Sequence, residues 1–135
     1  HFSSEFSIKV KKKLIESSLV PGIENFLKLL NDKNKPCYIN SGSEQEELKD
    51  VLLKKNLSKY FKLILGSPNS KIKNNEIIFN DLKGSKNAVF FGDSKNDFIA
   101  AENSSLKFVF VSEFSDWNNP DKTFYRTINN FLEIY

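Results

Sequence analysis

Apolar residues recur along this chain at two different spacings. In residues 5–18, Phe6, Val10, Leu14 and Ile15 are set among Lys and Glu at helical spacing, which predicts a helix there. Pro21 and Gly22 then punctuate the chain, and Ile23, Phe26, Leu27 and Leu30 mark one face of a second amphipathic helix. Residues 36–40 form a short apolar run, predicted to be a buried strand, that ends at Ser41-Gly42-Ser43. Residues 44–56 return to helical spacing, with Glu in the first turn and Lys in the last, as the helix dipole favours. The same alternation predicts strands over 61–66, 87–92 and 106–111, helices over 71–82 and 94–103, a loop over 112–122 and a last helix over 123–135. Strands alternating with helices predict an α/β fold, a Rossmann-like parallel sheet covered by helices on both faces. Ile39, Leu63, Ile64, Val89, Phe90, Phe108 and Val109 are the expected strand core. Phe26, Leu27, Leu30, Leu48, Leu52 and Ile99 are the expected helix faces, with Trp117 and Tyr125 anchoring the last loop and helix.

Composition narrows the function. The chain has 135 residues, one domain's worth, and its 20 Lys and Arg against 17 Asp and Glu leave a net charge of +3. That balance points to neither nucleic acid nor a membrane surface, and Lys9 to Lys13 are expected to be a solvated face. No apolar stretch is long enough to span a bilayer, and no signal peptide is evident. Cys37 is the one cysteine, set in an apolar run, so a buried thiol and a cytoplasmic setting are expected. The chain has no Met and begins at His1, its one histidine.

Ligands of parallel sheets sit at the carboxyl ends of the strands, and polar clusters fall at three of those ends here. Gly92 and Asp93 close one strand, and Asp97 lies one helical turn further on the same helix face. Two carboxylates there suit Mg²⁺, which binds through one or two carboxylates plus water and phosphate. The plainer alternative is that Asp93 caps the helix and Asp97 is a surface acid. Ser41-Gly42-Ser43 ends another strand and opens a helix, where free N–H groups and the hydroxyl make a phosphate cradle, or else the serine is only a cap. Lys71 begins a helix against the dipole, which an anionic ligand or simple exposure could explain.

Taken together, these clusters resemble a known family. "CYINSGS", "LILGSPNSK" and "VFFGDSKNDFIAAEN" are similar to the second, third and fourth motifs of the haloacid dehalogenase (HAD)-like phosphohydrolases, in their phosphoglycolate-phosphatase-like branch. "LVPGIENFLKLL" resembles the segment by which that family re-enters its core from a helical cap. The resemblance implies domain limits of 1–20 for the end of the cap or a linker and 21–135 for the core. It implies that Ser41 and Gly42 bind phosphate and that Lys71 neutralises charge on it as a catalytic group. Asp93 would bind Mg²⁺, and Asp97 would be a catalytic and metal-site residue that supports the metal's water shell or Lys71. The implied substrate is a small phosphorylated metabolite, cleaved through an aspartyl-phosphate.

One part of the pattern is missing. The family's nucleophile and general acid form a DxD motif, and none occurs among Asp32, Asp50, Asp81, Asp93, Asp97, Asp116 and Asp121. The chain is therefore expected to be a fragment, inactive alone, that lacks the first and central strand of the family's 5-4-1-2-3 sheet. Two inner strand edges would then be open. A strand-completing partner piece, a swapped oligomer or direct closure of the two strands is expected in its place. The alternative function is a non-catalytic phosphate- or protein-binding domain of the same fold. A serine-esterase role for Ser94 fails for want of a base other than His1.

Overall fold

The structure is a computed structural model that describes the main chain of residues 5–8 and, in full, residues 21–83, 87–113, 115–117, 120 and 124–133. Its strands are β1 (Glu5–Ile8), β2 (Cys37–Glu44), β3 (Leu63–Ser67), β4 (Ala88–Gly92), β5 (Lys107–Val111) and β6 (Arg126–Ile128). Its helices are α1 (Ile23–Asp32), α2 (Gln45–Lys54), α3 (Lys71–Asp81) and α4 (Lys95–Asn103), with short 3₁₀ turns at Ser58–Tyr60 and Phe131–Glu133. The strands form one sheet in the order β3-β2-β1-β4-β5-β6, and every pairing is parallel. The α/β class and the doubly covered sheet are as expected.

The expected gap at the centre is not there. β1 lies between β2 and β4, pairing Phe6 with Cys37 and Val89, and Ile8 with Ile39 and Phe91. Residues 5–8 are thus strand, not the start of a helix; the rest of that predicted helix, and the proposed cap end with it, falls largely outside the described residues. The physical reason is the demand of the neighbours. β2 and β4 are buried strands whose inner edges carry main-chain donors and acceptors that must be paired. Glu5-Phe6-Ser7-Ile8 alternates polar and apolar residues as a strand requires, while Phe6 also fits the helical series, so spacing alone did not separate the two. With β1 in place, open inner edges no longer call for a partner strand.

Each strand sends alternate side chains to opposite faces. Val89 and Phe91 of β4 and Val109 and Val111 of β5 meet α1, α2 and Phe131 on one face. Ala88, Phe90, Phe108 and Phe110 point the other way, to Phe79 of α3 and Ala101 and Phe98 of α4. Phe26 stacks on Phe131 at 5.2 Å and meets Phe91 edge-on at 5.6 Å, so rings from three separate segments close the first face. On the second, Trp117 packs against Phe98, Phe110 and Phe124, as its anchoring role predicts.

Three local expectations change. Residues 126–128 are a strand on the edge of the sheet instead of the middle of a helix, because Val109, Phe110 and Val111 offer them a parallel ladder. Ile99 is 39% exposed and Tyr125 is 48% exposed, so neither belongs to the core. Tyr125 instead lies flat under Lys107, whose ammonium is 4.9 Å from the ring centre. Leu63 and Ile64 are half-buried, because β3 is an edge strand.

Cys37 is 2% exposed, and burial pushes its thiol up to about 12, since a thiolate there would lack solvation. Below pH 9 the thiol should therefore resist alkylating reagents in the native protein and react fully in urea. Timing iodoacetamide labelling at pH 8 with and without denaturant checks this, and native labelling at the rate of a free thiol would contradict it. Nearby, Asp81 accepts hydrogen bonds from the Tyr38 hydroxyl at 2.6 Å and pairs with Lys62 at 2.9 Å. Those partners, Tyr38 first, hold its carboxyl below the usual range.

Candidate functional site

The carboxyl ends of β2, β3 and β4 open at the same edge of the sheet, and the buried polar residues concentrate there. Asn40, Ser41, Asn74, Asn75, Asp93 and Asp97 are all buried. Buried polar groups must be paired, so each needs a structural account.

Asp97 is at the centre. Ser94 caps α4 and forms a capping box with it: the Ser94 hydroxyl accepts from the Asp97 amide at 3.1 Å, and Asp97 Oδ2 accepts from the Ser94 amide at 3.2 Å. The same Oδ2 accepts from the Asp93 amide at 3.1 Å. Oδ1 is held by the Lys71 ammonium at 2.7 Å. Asp97 is fully buried, and the Lys71 side chain is 17% exposed. The surface-acid alternative for Asp97 is therefore excluded, and so is capping by Asp93. Ser94, as the cap, has its hydroxyl committed to the helix.

This folding-back of Asp97 depends on Gly92. A Cβ on Gly92 would lie 2.6 Å from Asp97 Cβ and 2.9 Å from its Oδ2, closer than any real contact allows. The glycine leaves the room that the carboxylate fills.

Lys71 starts α3 directly after its cap, Ser70, whose hydroxyl accepts from the Lys73 amide. Its unfavourable place on the helix dipole is offset by the buried carboxylate of Asp97. Its aliphatic stem passes over Gly42, where a Cβ would stand 3.9 Å from Lys71 Cε. Gly42, Lys71, Asp97 and Asp93 are thus brought together from β2, α3, α4 and the end of β4.

Ser41 and Gly42 are placed differently from the cradle expected of them. β2 continues through Ser43 to Glu44 with a shift in register after Asn40, and the helix begins only at Gln45. Glu44 is its cap, accepting from the amides of Glu46 and Glu47 at 3.0 Å. The helix's first amides are therefore committed to the chain's own carboxylate. Ser41 is 1% exposed and its hydroxyl accepts from the Ser43 amide at 3.1 Å, a bond that shapes the turn beside Gly42.

Sequence reasoning missed a set of asparagines beneath Lys71. Asn40 Nδ2 donates to the Lys71 carbonyl at 2.7 Å and to Asn75 Oδ1 at 2.8 Å. Asn74 donates to Asn40 Oδ1 and to the Gly66 carbonyl, both at 3.2 Å. Asn75 donates to Ser104 Oγ at 3.0 Å. The set ties the first turn of α3 to β2, β3 and α4. The available signal was Asn40 ending an apolar strand and an Asn pair inside a helix, where asparagine is a poor helix former.

The oxygen donors suit a hard cation such as Mg²⁺. Asp93, 8% exposed at the tip of β4, is the carboxylate placed to be a ligand; the oxygens of Asp97 are already shared with Lys71 and two amides. Its main chain is fixed by Ser115, whose hydroxyl donates to the Asp93 carbonyl at 2.5 Å. Among the described residues no three His, Cys, Asp or Glu side chains gather at one point. The residues present therefore fit as part of a cation site that phosphate oxygens and water would complete. Among the described residues, no helix is long and apolar enough to cross a membrane.

Comparison with known proteins places the fold. Solved structures that superimpose on the chain include a protein from Clostridium difficile put forward as a phosphatase (16% identity, TM-score 0.78, covering 89% of this chain and 60% of that one). CbbY from Rhodobacter sphaeroides in complex with phosphate matches at 15% identity and a TM-score of 0.75, covering 90% of this chain and 60% of that one. A predicted phosphoglycolate phosphatase from Haemophilus somnus matches at 18% identity and a TM-score of 0.76, covering 85% and 55%. The chain thus spans about 60% of the length of the first of these. No curated protein matches it. The family model of the haloacid dehalogenase-like hydrolases matches residues 2–111, most of the chain and all of the clusters described above. The chain belongs to the haloacid dehalogenase-like hydrolases.

Proposed function

We propose that this chain is the phosphate-binding core of a Mg²⁺-dependent phosphohydrolase acting on a small phosphate monoester. The observation that carries the reading is the Lys71–Asp97 pair, 2.7 Å long with its carboxylate fully buried, held beside Asp93 at the carboxyl edge of the sheet. A lysine fixed in this way keeps its position, which is what transfer of a phosphoryl group asks of the protein. In the proposed roles, Lys71 neutralises charge on the phosphoryl oxygens and Asp97 orients Lys71. Gly42 gives the phosphate close access to the main chain, and Ser41 shapes that turn. Asp93 would hold Mg²⁺, which supplies charge neutralisation on the phosphate when bound. A protein of the same fold, CbbY from Rhodobacter sphaeroides, is known in complex with phosphate, which supports phosphate as the ligand class.

The chemistry itself needs a carboxylate nucleophile, and no DxD pair occurs in these residues. We therefore assign the 135-residue chain binding without turnover; hydrolysis through an aspartyl-phosphate needs acids that these residues do not supply. A soluble cytoplasmic metabolite is the proposed substrate. Pure chain with Mg²⁺ should bind inorganic phosphate, seen by ³¹P line broadening, and leave p-nitrophenyl phosphate intact. Lys71→Met should weaken phosphate binding by on the order of tenfold, the worth of one charge-assisted hydrogen bond. Turnover that is lost in Asp93→Asn would overturn the assignment of binding without turnover. Phosphate affinity unchanged in Lys71→Met would overturn the site.

A further inference from the structure

A cleft of about 350 Å³ runs from Gly42 and Lys71 outward between the first turns of α3 and α4. Its two walls carry Ile72 and Ile99, which are 44% and 39% exposed, and Asn69 and Asn96 stand at its rim. Single exposed isoleucines are ordinary on a protein surface. Two on neighbouring helices, lining one cleft that ends at a buried ion pair, are not explained by packing. We infer that this cleft receives the alcohol portion of the phosphate monoester, and that this portion is an uncharged group with an apolar face and neutral hydrogen-bonding edges.

The inference rests on phosphate binding at Lys71 and goes beyond it by naming the leaving group. The direction follows from the lining. Among the described residues that line the cleft, Lys71 carries the one ionic side chain, so a cationic leaving group finds no counter-charge among them. The isoleucines offer contact area to a flat or branched hydrocarbon, and the two carboxamides can each donate and accept. The volume lies at the small end of ligand pockets, which suits a group of a few to about ten heavy atoms.

The test compares two probes on the full chain with Mg²⁺ present: inorganic phosphate and phenyl phosphate, titrated against ¹⁵N-labelled protein. Phenyl phosphate should bind about tenfold more tightly, as expected from burying roughly 50–60 Å² of apolar surface. It should also shift the amides of Ile72 and Ile99, which phosphate alone leaves in place. Ile99→Asn and Ile72→Asn, both at exposed positions, should remove that gain while phosphate affinity stays the same. Equal affinity for the two probes overturns the cleft and leaves the phosphate site standing. A gain that persists in both variants places the phenyl group elsewhere and also overturns it. Binding of neither probe overturns the phosphate site, and the cleft assignment falls with it.

Discussion

Asp97→Asn is expected to lower the unfolding free energy by about 3 kcal/mol, the lower end of the range for breaking a buried ion pair. Asp97 is fully buried and accepts three hydrogen bonds: from Lys71 at 2.7 Å, from the Asp93 amide at 3.1 Å and from the Ser94 amide at 3.2 Å. Asparagine can keep the two amides on its oxygen, but its NH₂ group then faces the Lys71 ammonium, donor against donor. Lys71 must either stay buried without a counter-charge or swing out through its 17% exposed side to reach water. That escape is why the lower end of the range applies. Lys71→Met should cost less, because Asp97 keeps both amide donors and the capping box. Urea unfolding followed by circular dichroism measures the difference. With a slope of about 1–3 kcal/mol per molar, Asp97→Asn should move the midpoint down by roughly 1–3 M. A midpoint within experimental error of the parent, or a larger loss for Lys71→Met, would show that the pair does not hold the site together.

Much of this architecture could be read from the residues. Strands that are buried on both faces show as unbroken apolar runs, and Val89 to Phe91 and Phe108 to Val111 were recognisable for that reason. Helix α1 was recognisable because Phe26, Leu27 and Leu30 fall on one face above a sheet that needs covering. The failures come where local preference is weak and the neighbours decide. Glu5–Ile8 carries both a strand and a helix pattern, and only the open edges of β2 and β4 select the strand. Arg126–Ile128 is too short to show a period, and a parallel ladder to β5 selects its form. β-structure at such places is set by pairing more than by propensity.

The site was legible in its residue types and less so in its connections. Spacing placed Asp93 and Asp97 on one turn, but gave no sign that Asp97 would turn inward while Asp93 stayed at the strand tip. That difference arises from the capping box and from the empty space beside Gly92. The helix predicted over 44–56 begins at Gln45, and its first amides go to Glu44 and so are not left for a cradle at Ser41 and Gly42. The asparagines under Lys71 were invisible because each bond joins elements far apart in the chain, the Asn40–Asn75 bond spanning 35 residues. A buried polar network of this kind is a property of the packed core and not of any one segment.

Gly92→Ala should disrupt the Lys71–Asp97 pair. The added carbon would stand 2.6 Å from Asp97 Cβ and 2.9 Å from Cγ and Oδ2. Asp97 cannot simply rotate away, because its oxygens hold Lys71 and the amides of residues 93 and 94. The strain must therefore go into the main chain between β4 and α4, or into breaking those bonds. Overpacking of this kind costs about 1–3 kcal/mol, and occasionally more. Gly42→Ala is the control, since its Cβ would meet Lys71 Cε at 3.9 Å, an ordinary contact. The two variants make the same chemical change at the same edge of the sheet and should differ in outcome. Gly42→Ala should unfold within about 0.5 kcal/mol of the parent, as unstrained surface changes do. Gly92→Ala should unfold earlier in urea and should also release Lys71, lowering affinity for inorganic phosphate by on the order of tenfold. If Gly92→Ala instead keeps both stability and phosphate affinity, then Asp97 does not need the space beside residue 92, and the Lys71–Asp97 pair is not what positions the phosphate.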